Sequence, residues 1–96
     1  MKVQNLINNR GNRAANQFVI THNGETYFQS YESVIANYDK DGRLTITPLC
    51  DYSVTTRKHF YIFLADYTSI NPTRENVLRC IANGYIKVVK DGELDF

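Results

Sequence analysis

A stretch of hydroxyl, basic and imidazole side chains, DYSVTTRKH, runs from Asp51 to His59 and contains the residue types most suited to chemistry. If a helix begins here, its free amides and its dipole make this end positive. Hydroxyl groups followed by Arg and Lys would then help to bind an anion such as phosphate or carboxylate. Ser53 is equally suited to cap that helix, with the first turn exposed to solvent, and both interpretations stay open. The candidate binding residues in this stretch are Tyr52, Ser53, Thr55, Thr56, Arg57 and His59.

A second candidate lies in the polar stretch NNRGNRAAN, from Asn8 to Asn16. It contains four Asn, two Arg and one Gly, which tolerate turns, so it predicts an irregular loop. Arginine binds phosphate or guanine through two hydrogen bonds and asparagine can pair with adenine, which makes Arg10, Asn12 and Arg13 candidate binding residues. An ordinary solvent-exposed loop is the alternative.

The chain has seven Tyr, and three of them fall on predicted strands of the meander. Phe28 and Ile35 have the opposite phase to Tyr27, Tyr31 and Tyr38, so we expect a row of tyrosines on the sheet face away from the helices. Such a row either stabilises the sheet by cross-strand pairing or forms an apolar patch that binds a partner. Tyr31 is included among the candidate partner-binding residues on the second interpretation.

The two histidines do not form a recognisable catalytic set. A triad or a two-histidine phosphoesterase needs a base within hydrogen-bond distance of its nucleophile and a third group that orients it. His22 is followed by the Asn23-Gly24 turn and shares no motif with His59, and no two carboxylates are spaced for acid–base work. We therefore expect a protein that is not an enzyme and has no catalytic residues.

Cys50 and Cys80 are the only cysteines, and they form no CxxC pair. With no second ligand type beside them, the sequence predicts no metal site and no cofactor. The chain shows neither a signal peptide nor an apolar run long enough to cross a membrane. We therefore expect a cytoplasmic protein with reduced thiols and no membrane partner.

Length and charge limit the function classes. A chain of 96 residues predicts one domain, residues 1–96, which exposes so much surface that we expect a homodimer. A net charge of +1 excludes a DNA mimic and argues against a protein held to nucleic acid mainly by counterion release. A local basic patch stays open.

The first half of the chain predicts an antiparallel meander over residues 17–49. It follows an N-terminal segment and polar loop at 1–16, in which a short strand over 2–7 stays open. Turn signals at Asn23-Gly24 and Asp39–Gly42 separate the strands, and Pro48 ends the last strand or places it at an edge. The predicted strands cover residues 17–22, 25–31, 33–38 and 43–49.

Residues 51–84 predict two helices. The first, capped by Ser53 or Asp51, runs to about Asp66, and the second extends from Asn71-Pro72 to Asn83-Gly84. Their buried faces are expected to be Phe60, Phe63, Leu64 and Tyr67 in the first helix and Val77, Leu78 and Ile81 in the second. A final strand over 85–90 and a tail over 91–96 follow. The order β-β-β-β-α-α-β predicts an α+β fold, an antiparallel sheet of four to five strands with two helices on one face.

Three segments carry a resemblance to a known family: NNRGN…NQFVI at Asn8–Ile20, GETYFQSYESVIA at Gly24–Ala36, and DYSVTTRKHFYIFL at Asp51–Leu64. They resemble small single-domain proteins of unknown function from bacteriophages and gut-bacterial genomes, in which F-Q/K-S-Y, S-x-I-A and W-D-Y-S-x-T-T-x-K-Y/H elements recur in this order. Cys50 replaces the Trp of the last element. The resemblance covers about Asn8 to Ile86. It implies a phage or mobile-element setting, where small domains often inhibit host or defence proteins, and brings no established activity.

Together, the residues and the resemblance predict a non-enzymatic binding protein that acts on a host or defence component. It would bind either a protein or an anionic small molecule such as a nucleotide. A nucleic-acid-binding (DNA-binding) module is the alternative, and its affinity would fall steeply with salt. A phage structural or assembly component, which would form large oligomers, is the third candidate.

Overall fold

The computed structural model describes residues 1–96 as a six-stranded sheet that carries two helices. The predicted α+β class and element order are confirmed, although the sheet has more strands than the four to five expected. A one-turn 3₁₀ helix precedes the first α-helix. The elements are β1 (Lys2–Ile7), β2 (Arg13–His22), β3 (Glu25–Ser30), β4 (Ser33–Tyr38), β5 (Leu44–Ile46), the 3₁₀ helix (Pro48–Asp51), α1 (Val54–Tyr67), α2 (Arg74–Ala82) and β6 (Ile86–Val88). Neither helix is long and apolar enough to span a membrane.

The strands lie in the sheet in chain order, and every neighbouring pair is antiparallel except the last. Strand β6 runs parallel to β5, with Leu44 opposite Ile86 and Ile46 opposite Val88. The chain leaves β5, forms both helices and then returns beside it, which is the long crossover that a parallel pair requires. The sheet is therefore mixed, where the sequence predicted an antiparallel one.

The N-terminal segment is more regular than predicted. Residues Lys2–Ile7 form a full edge strand, and β2 begins at Arg13 instead of Gln17, so the loop shrinks to residues 8–12. Asn8 closes this loop: its amide donates to the Asn12 carbonyl at 2.8 Å, and its Oδ1 accepts the amides of Arg10 and Asn12. Asparagine-rich sequence predicted irregularity here, but one Asn side chain folds the loop into a compact turn.

The predicted row of tyrosines is wrong. Strand β3 ends at Ser30, and Tyr31 sits in the following turn with a left-handed φ of 54°. Tyr27 lies on the face away from the helices, opposite Asn37, whereas Tyr38 lies on the helix face and bonds Ser69 Oγ at 3.1 Å. The predicted Asn23-Gly24 hairpin is confirmed, with φ values of 53° and 78°.

One face of the sheet and both helices enclose the core. The register places Val19, Phe28, Ala36 and Ile46 on the same face, and they belong to one buried cluster with Phe60, Phe63, Leu64 and Val77. The rings of Phe28 and Phe63 stack with centroids 5.6 Å apart. The predicted stripe of α1 is confirmed, with Tyr67 half-buried at its end.

The second helix begins two residues later than predicted, with its cap at Thr73 instead of Asn71. Thr73 is its cap, because its Oγ1 accepts the amide of Asn76 at 3.2 Å, and the helix starts at Arg74. Val77 is buried as expected, but Leu78 is 53 % exposed, so its predicted burial is wrong. The shorter helix turns Leu78 toward a surface cleft.

A β-bulge in β4 positions the end of the meander. Phe28 pairs with Ala36 and Gln29 with Val34, which leaves Ile35 as an extra residue in β4. The side chains of Val34, Ile35 and Ala36 are consecutive in the chain and are all buried. The Ile35 carbonyl accepts the amide of Thr47 at 2.9 Å. This bond fixes the point at which β5 gives way to the 3₁₀ helix, so Pro48 opens that helix instead of continuing a strand.

The C-terminal tail is ordered against the second face of the sheet. Asp95 Oδ1 accepts the amide of Val34 at 2.8 Å, and the ring of Phe96 packs on Tyr27 with centroids 4.7 Å apart. Asp91 accepts the amide of Leu49 at 3.2 Å. The tail therefore connects the 3₁₀ helix to the rest of the domain. Strand β6, which precedes the tail, covers Ile86–Val88 and is shorter than the predicted 85–90.

Candidate functional site

A cleft of about 300 Å³ opens between the 3₁₀ helix, the start of α1 and α2. Its apolar lining comes from β5, α1, α2 and β6, and its polar side chains come from the 3₁₀ helix, α1 and α2. This combination is typical of small-molecule sites. The apolar lining includes Ile46, Phe60, Val77, Leu78, Ile81 and Val88. The polar lining includes Cys50, Asp51, Arg57, Tyr61 and Arg74.

Local hydrogen bonds hold the walls of the cleft in place. The 3₁₀ helix is closed by the Cys50 amide, which donates to the Thr47 carbonyl at 3.1 Å. Ser53 then caps α1, because its Oγ accepts the amide of Thr56 at 3.1 Å. The cap sets the direction of α1 and turns Arg57 toward the cleft.

The cleft arginines, Arg57 and Arg74, provide its positive charge. Arg57 Nη1 lies 3.3 Å from Asp51 Oδ1, whereas the guanidinium of Arg74 has neither an ion-pair nor a hydrogen-bond partner. Arg57 lies in the first turn of α1 and Arg74 is the first residue of α2. The helix dipole disfavours a cation at that end, and the first turn of α1 contains no acidic residue. The first turn of α2 contains Glu75, which pairs with Arg79 at 3.3 Å.

Two further polar groups in the cleft are neutral at physiological pH. Burial raises the pKa of the Cys50 thiol to about 11, and the charges of Asp51 and Asp91 add to this effect. Burial also raises the pKa of the Tyr61 hydroxyl, as does Asp51, while Arg74 and Arg57 oppose the shift. Cys50 is therefore a protonated thiol and a poor nucleophile, and Tyr61 offers a neutral hydroxyl beside the charged groups.

Of the six residues predicted at the helix start, only Arg57 lines the cleft. The hydroxyls of Ser53 and Thr56 bond each other at 3.0 Å, so the cap interpretation of Ser53 is correct. The Nδ1–H of His59 donates to the Thr55 carbonyl at 2.8 Å within the same helix. Tyr52 lies beside the cleft, 78 % exposed.

The other predicted residues lie elsewhere. Arg10 and Asn12 are exposed in the N-terminal turn, and Arg13 is part of β2, opposite Ile7. Tyr31 is 58 % exposed, with its amide bound to the Asn16 carbonyl at 2.7 Å. None of these residues lines the cleft. The structure therefore does not bring the two predicted sites together.

Sequence reasoning missed Arg74 and Tyr61. Arg74 directly follows a threonine, a residue type that caps helices, which indicates a position in the first turn of a helix. Acidic residues are preferred there, so an arginine at this position is an unusual choice and was the one available signal. Tyr61 gave no signal, since it is one position from the buried stripe of α1. No three His, Cys, Asp or Glu side chains come together in a way that could hold a metal ion. Neither histidine lines the cleft.

A comparison with family models matches residues 1–78 to a family of unknown function, DUF8033. Neither the curated proteins nor the solved structures contain a significant match to the chain. The predicted resemblance to a small family of unknown function is confirmed, while the phage setting stays a prediction. Since the match spans most of its 96 residues, the chain belongs to the family of unknown function DUF8033.

Proposed function

We propose that this chain is a non-catalytic binding protein that takes an anionic ligand into the cleft. One observation carries the proposal: Arg57 and Arg74 lie at the positive ends of two helices beside an apolar cavity, with Asp51 as their only acidic neighbour in the lining. Arg57 is half-buried and Arg74 is exposed, and the apolar surface beside them lowers the local dielectric constant, which strengthens their attraction for an anion.

The non-catalytic part of the proposal is supported by the chemistry of the lining. Catalysis of hydrolysis or group transfer requires a nucleophile or a general base with a pKa near the working pH. The Cys50 thiol has a pKa of about 11 and is therefore protonated at physiological pH, and no histidine lines the cleft. What the cleft offers is positive charge, a neutral hydroxyl and apolar surface, which suit binding.

A protein partner is the second candidate, because two apolar residues at the cleft are exposed. Leu78 is 53 % and Val88 is 45 % exposed, so a partner could bury them and place a carboxylate against the arginines. Such a contact would be the means by which the chain acts on a host or defence component. Nucleic-acid binding has less support, since the net charge is +1 and the exposed arginines Arg10 and Arg13 are on a different element from the cleft.

Native mass spectrometry tests the proposed function. The wild-type chain and an Arg57→Gln/Arg74→Gln variant are purified identically, incubated with deproteinised cell extract, and examined before and after denaturation. We expect the wild type to carry an anionic small molecule that the variant lacks. A ligand held equally by both chains, or a wild type that emerges empty from the extract, contradicts the proposal.

A further inference from the structure

We infer that the ligand of the cleft is a small monocarboxylate with an apolar body, and not a nucleotide. This inference rests on the proposed function, which requires only that the ligand be anionic. Three properties of the cleft narrow the class: its net charge, its size and the chemistry of its lining.

The charge of the cleft matches a monoanion. Its lining contains two guanidinium groups and one carboxylate, Asp51, which leaves one net positive charge when Cys50 and Tyr61 are neutral. Asp91 does not line the cleft, and its carboxylate accepts the Leu49 amide at 3.2 Å. A nucleoside di- or triphosphate carries several negative charges, and Asp51 would repel them.

The size of the cleft matches a compact molecule. At about 300 Å³ it has the volume of on the order of ten water molecules, since each occupies roughly 30 Å³ in the liquid. It lies at the lower end of the usual range for ligand pockets, about 300–1,000 Å³. A compact molecule would fill it, whereas a nucleotide would extend beyond it.

The lining also selects an apolar body. Phe60, Val77 and Ile81 provide hydrocarbon surface, and the arginine planes suit two-point recognition of a carboxylate. Few groups in the cleft can read a base or a ribose: Asp51, the only carboxylate, is paired to Arg57, no Asn or Gln contributes, and the neutral hydroxyls are those of Thr47 and Tyr61. A sugar or a nucleobase carries more polar groups than these hydroxyls can pair, which disfavours it.

An NMR titration with three probes tests the inference: 4-phenylbutyrate, its neutral amide 4-phenylbutanamide, and AMP. The backbone amide signals of Cys50, Asp51, Val77 and Val88 report binding in the cleft. We expect 4-phenylbutyrate to shift these signals with a Kd at least about tenfold lower than that of either other probe, because the amide lacks a charge-assisted pair and AMP lacks the fit.

The other outcomes separate the inference from the proposed function. Tighter binding of AMP at the same signals overturns the monocarboxylate and leaves an anion-binding cleft. Equal binding of 4-phenylbutyrate and 4-phenylbutanamide overturns both the inference and the proposed function, because the negative charge of the ligand then contributes nothing to affinity. If no probe shifts the cleft signals, the inference fails, and the mass-spectrometric comparison of wild type with Arg57→Gln/Arg74→Gln decides the proposed function independently.

Discussion

Two pairs of arginines in this chain differ in their surroundings. Arg10 lies in the compact turn that Asn8 closes, Arg13 is the first residue of β2, and both are exposed. Arg57 and Arg74 border a cavity walled by apolar residues. Exposed charges interact with water and are screened by salt, whereas charges beside low-dielectric surface act on a ligand at close range. Arg57 is half-buried and Arg74 is exposed, so the apolar cavity beside the second pair, and not burial of the charges, distinguishes it from the first.

The largest difference between the two regions should appear in thiol reactivity. Two variants with a single cysteine each are compared. In Cys80→Ser the remaining thiol is Cys50, in the cleft, and in Cys50→Ser/Cys80→Ser/Asn12→Cys it is the new cysteine in the N-terminal turn. At pH 8 we expect iodoacetamide to modify Cys50 at least about tenfold more slowly, because a pKa of about 11 instead of about 9 lowers the thiolate fraction about a hundredfold and the higher nucleophilicity of the more basic thiolate offsets part of that loss. Equal rates would mean that the cleft is as well solvated as the turn.

The same shift predicts a pH window for stability. The folded pKa of Cys50 is raised, so the thiol contributes stability at low pH, where it is protonated in both states. That contribution is lost as pH rises from about 9, the ordinary value, to about 11. Urea denaturation of the wild type and of Cys50→Ser over this range measures the loss, which should be smaller in the variant. If the free energy of unfolding changes with pH in the same way in the wild type and in Cys50→Ser, the raised pKa of Cys50 is contradicted.

Removing one cleft arginine should weaken binding of 4-phenylbutyrate about tenfold. Arg74→Gln deletes the guanidinium that has no internal partner, and a charge-assisted hydrogen bond contributes enough to account for that factor. Arg79→Gln is the matched control, because Arg79 is on the same helix, pairs with Glu75 and does not line the cleft. A similar loss in the control would indicate a general charge effect.

Asp51→Asn should act in the opposite direction. The carboxylate of Asp51 pairs with Arg57 at 3.3 Å and competes with any anionic ligand for it. Without that charge we expect 4-phenylbutyrate to bind about fivefold more tightly, a modest gain because the pair is half-exposed. Isothermal titration calorimetry measures it. Weaker binding in Asp51→Asn would show that the carboxylate holds the ligand instead of opposing it.

The smallest effect should come from the apolar rim. Leu78 lines the cleft but is 53 % exposed, so a bound ligand would contact only part of its side chain. We therefore expect Leu78→Ala to weaken the binding of 4-phenylbutyrate about twofold. Val3→Ala is the control, since Val3 is 56 % exposed on the edge strand β1, away from the cleft. If Leu78→Ala leaves the Kd unchanged, the ligand does not reach the rim.

The sequence predicted those parts of the fold that local chemistry determines. Asn23-Gly24 specified its hairpin, since both residues tolerate positive φ, and the spacing of Phe60, Phe63 and Leu64 specified the buried face of α1. The cap of α2 was misplaced at Asn71, because Asn-Pro is a common opening and the threonine that caps the helix gave a weaker signal.

The cleft was harder to predict because it depends on contacts between distant segments. Arg57 was identified from its neighbours, but Arg74 reaches the site only through the crossover that returns the chain beside β5. In the sequence, the polar groups at the helix start fit either a ligand or a cap; in the structure Ser53, Thr56 and His59 form hydrogen bonds within α1 and its cap.

One calorimetric comparison tests the central claim most directly. The wild type, Arg57→Gln/Arg74→Gln and Arg10→Gln/Arg13→Gln are titrated with 4-phenylbutyrate at equal ionic strength, after circular dichroism has shown that all three are folded. Both variants lose two positive charges, so only the location differs. We predict that the cleft variant loses measurable binding while the N-terminal variant stays within about twofold of the wild type. Equal losses in both variants would contradict the account, because binding would then follow total charge and not the cleft.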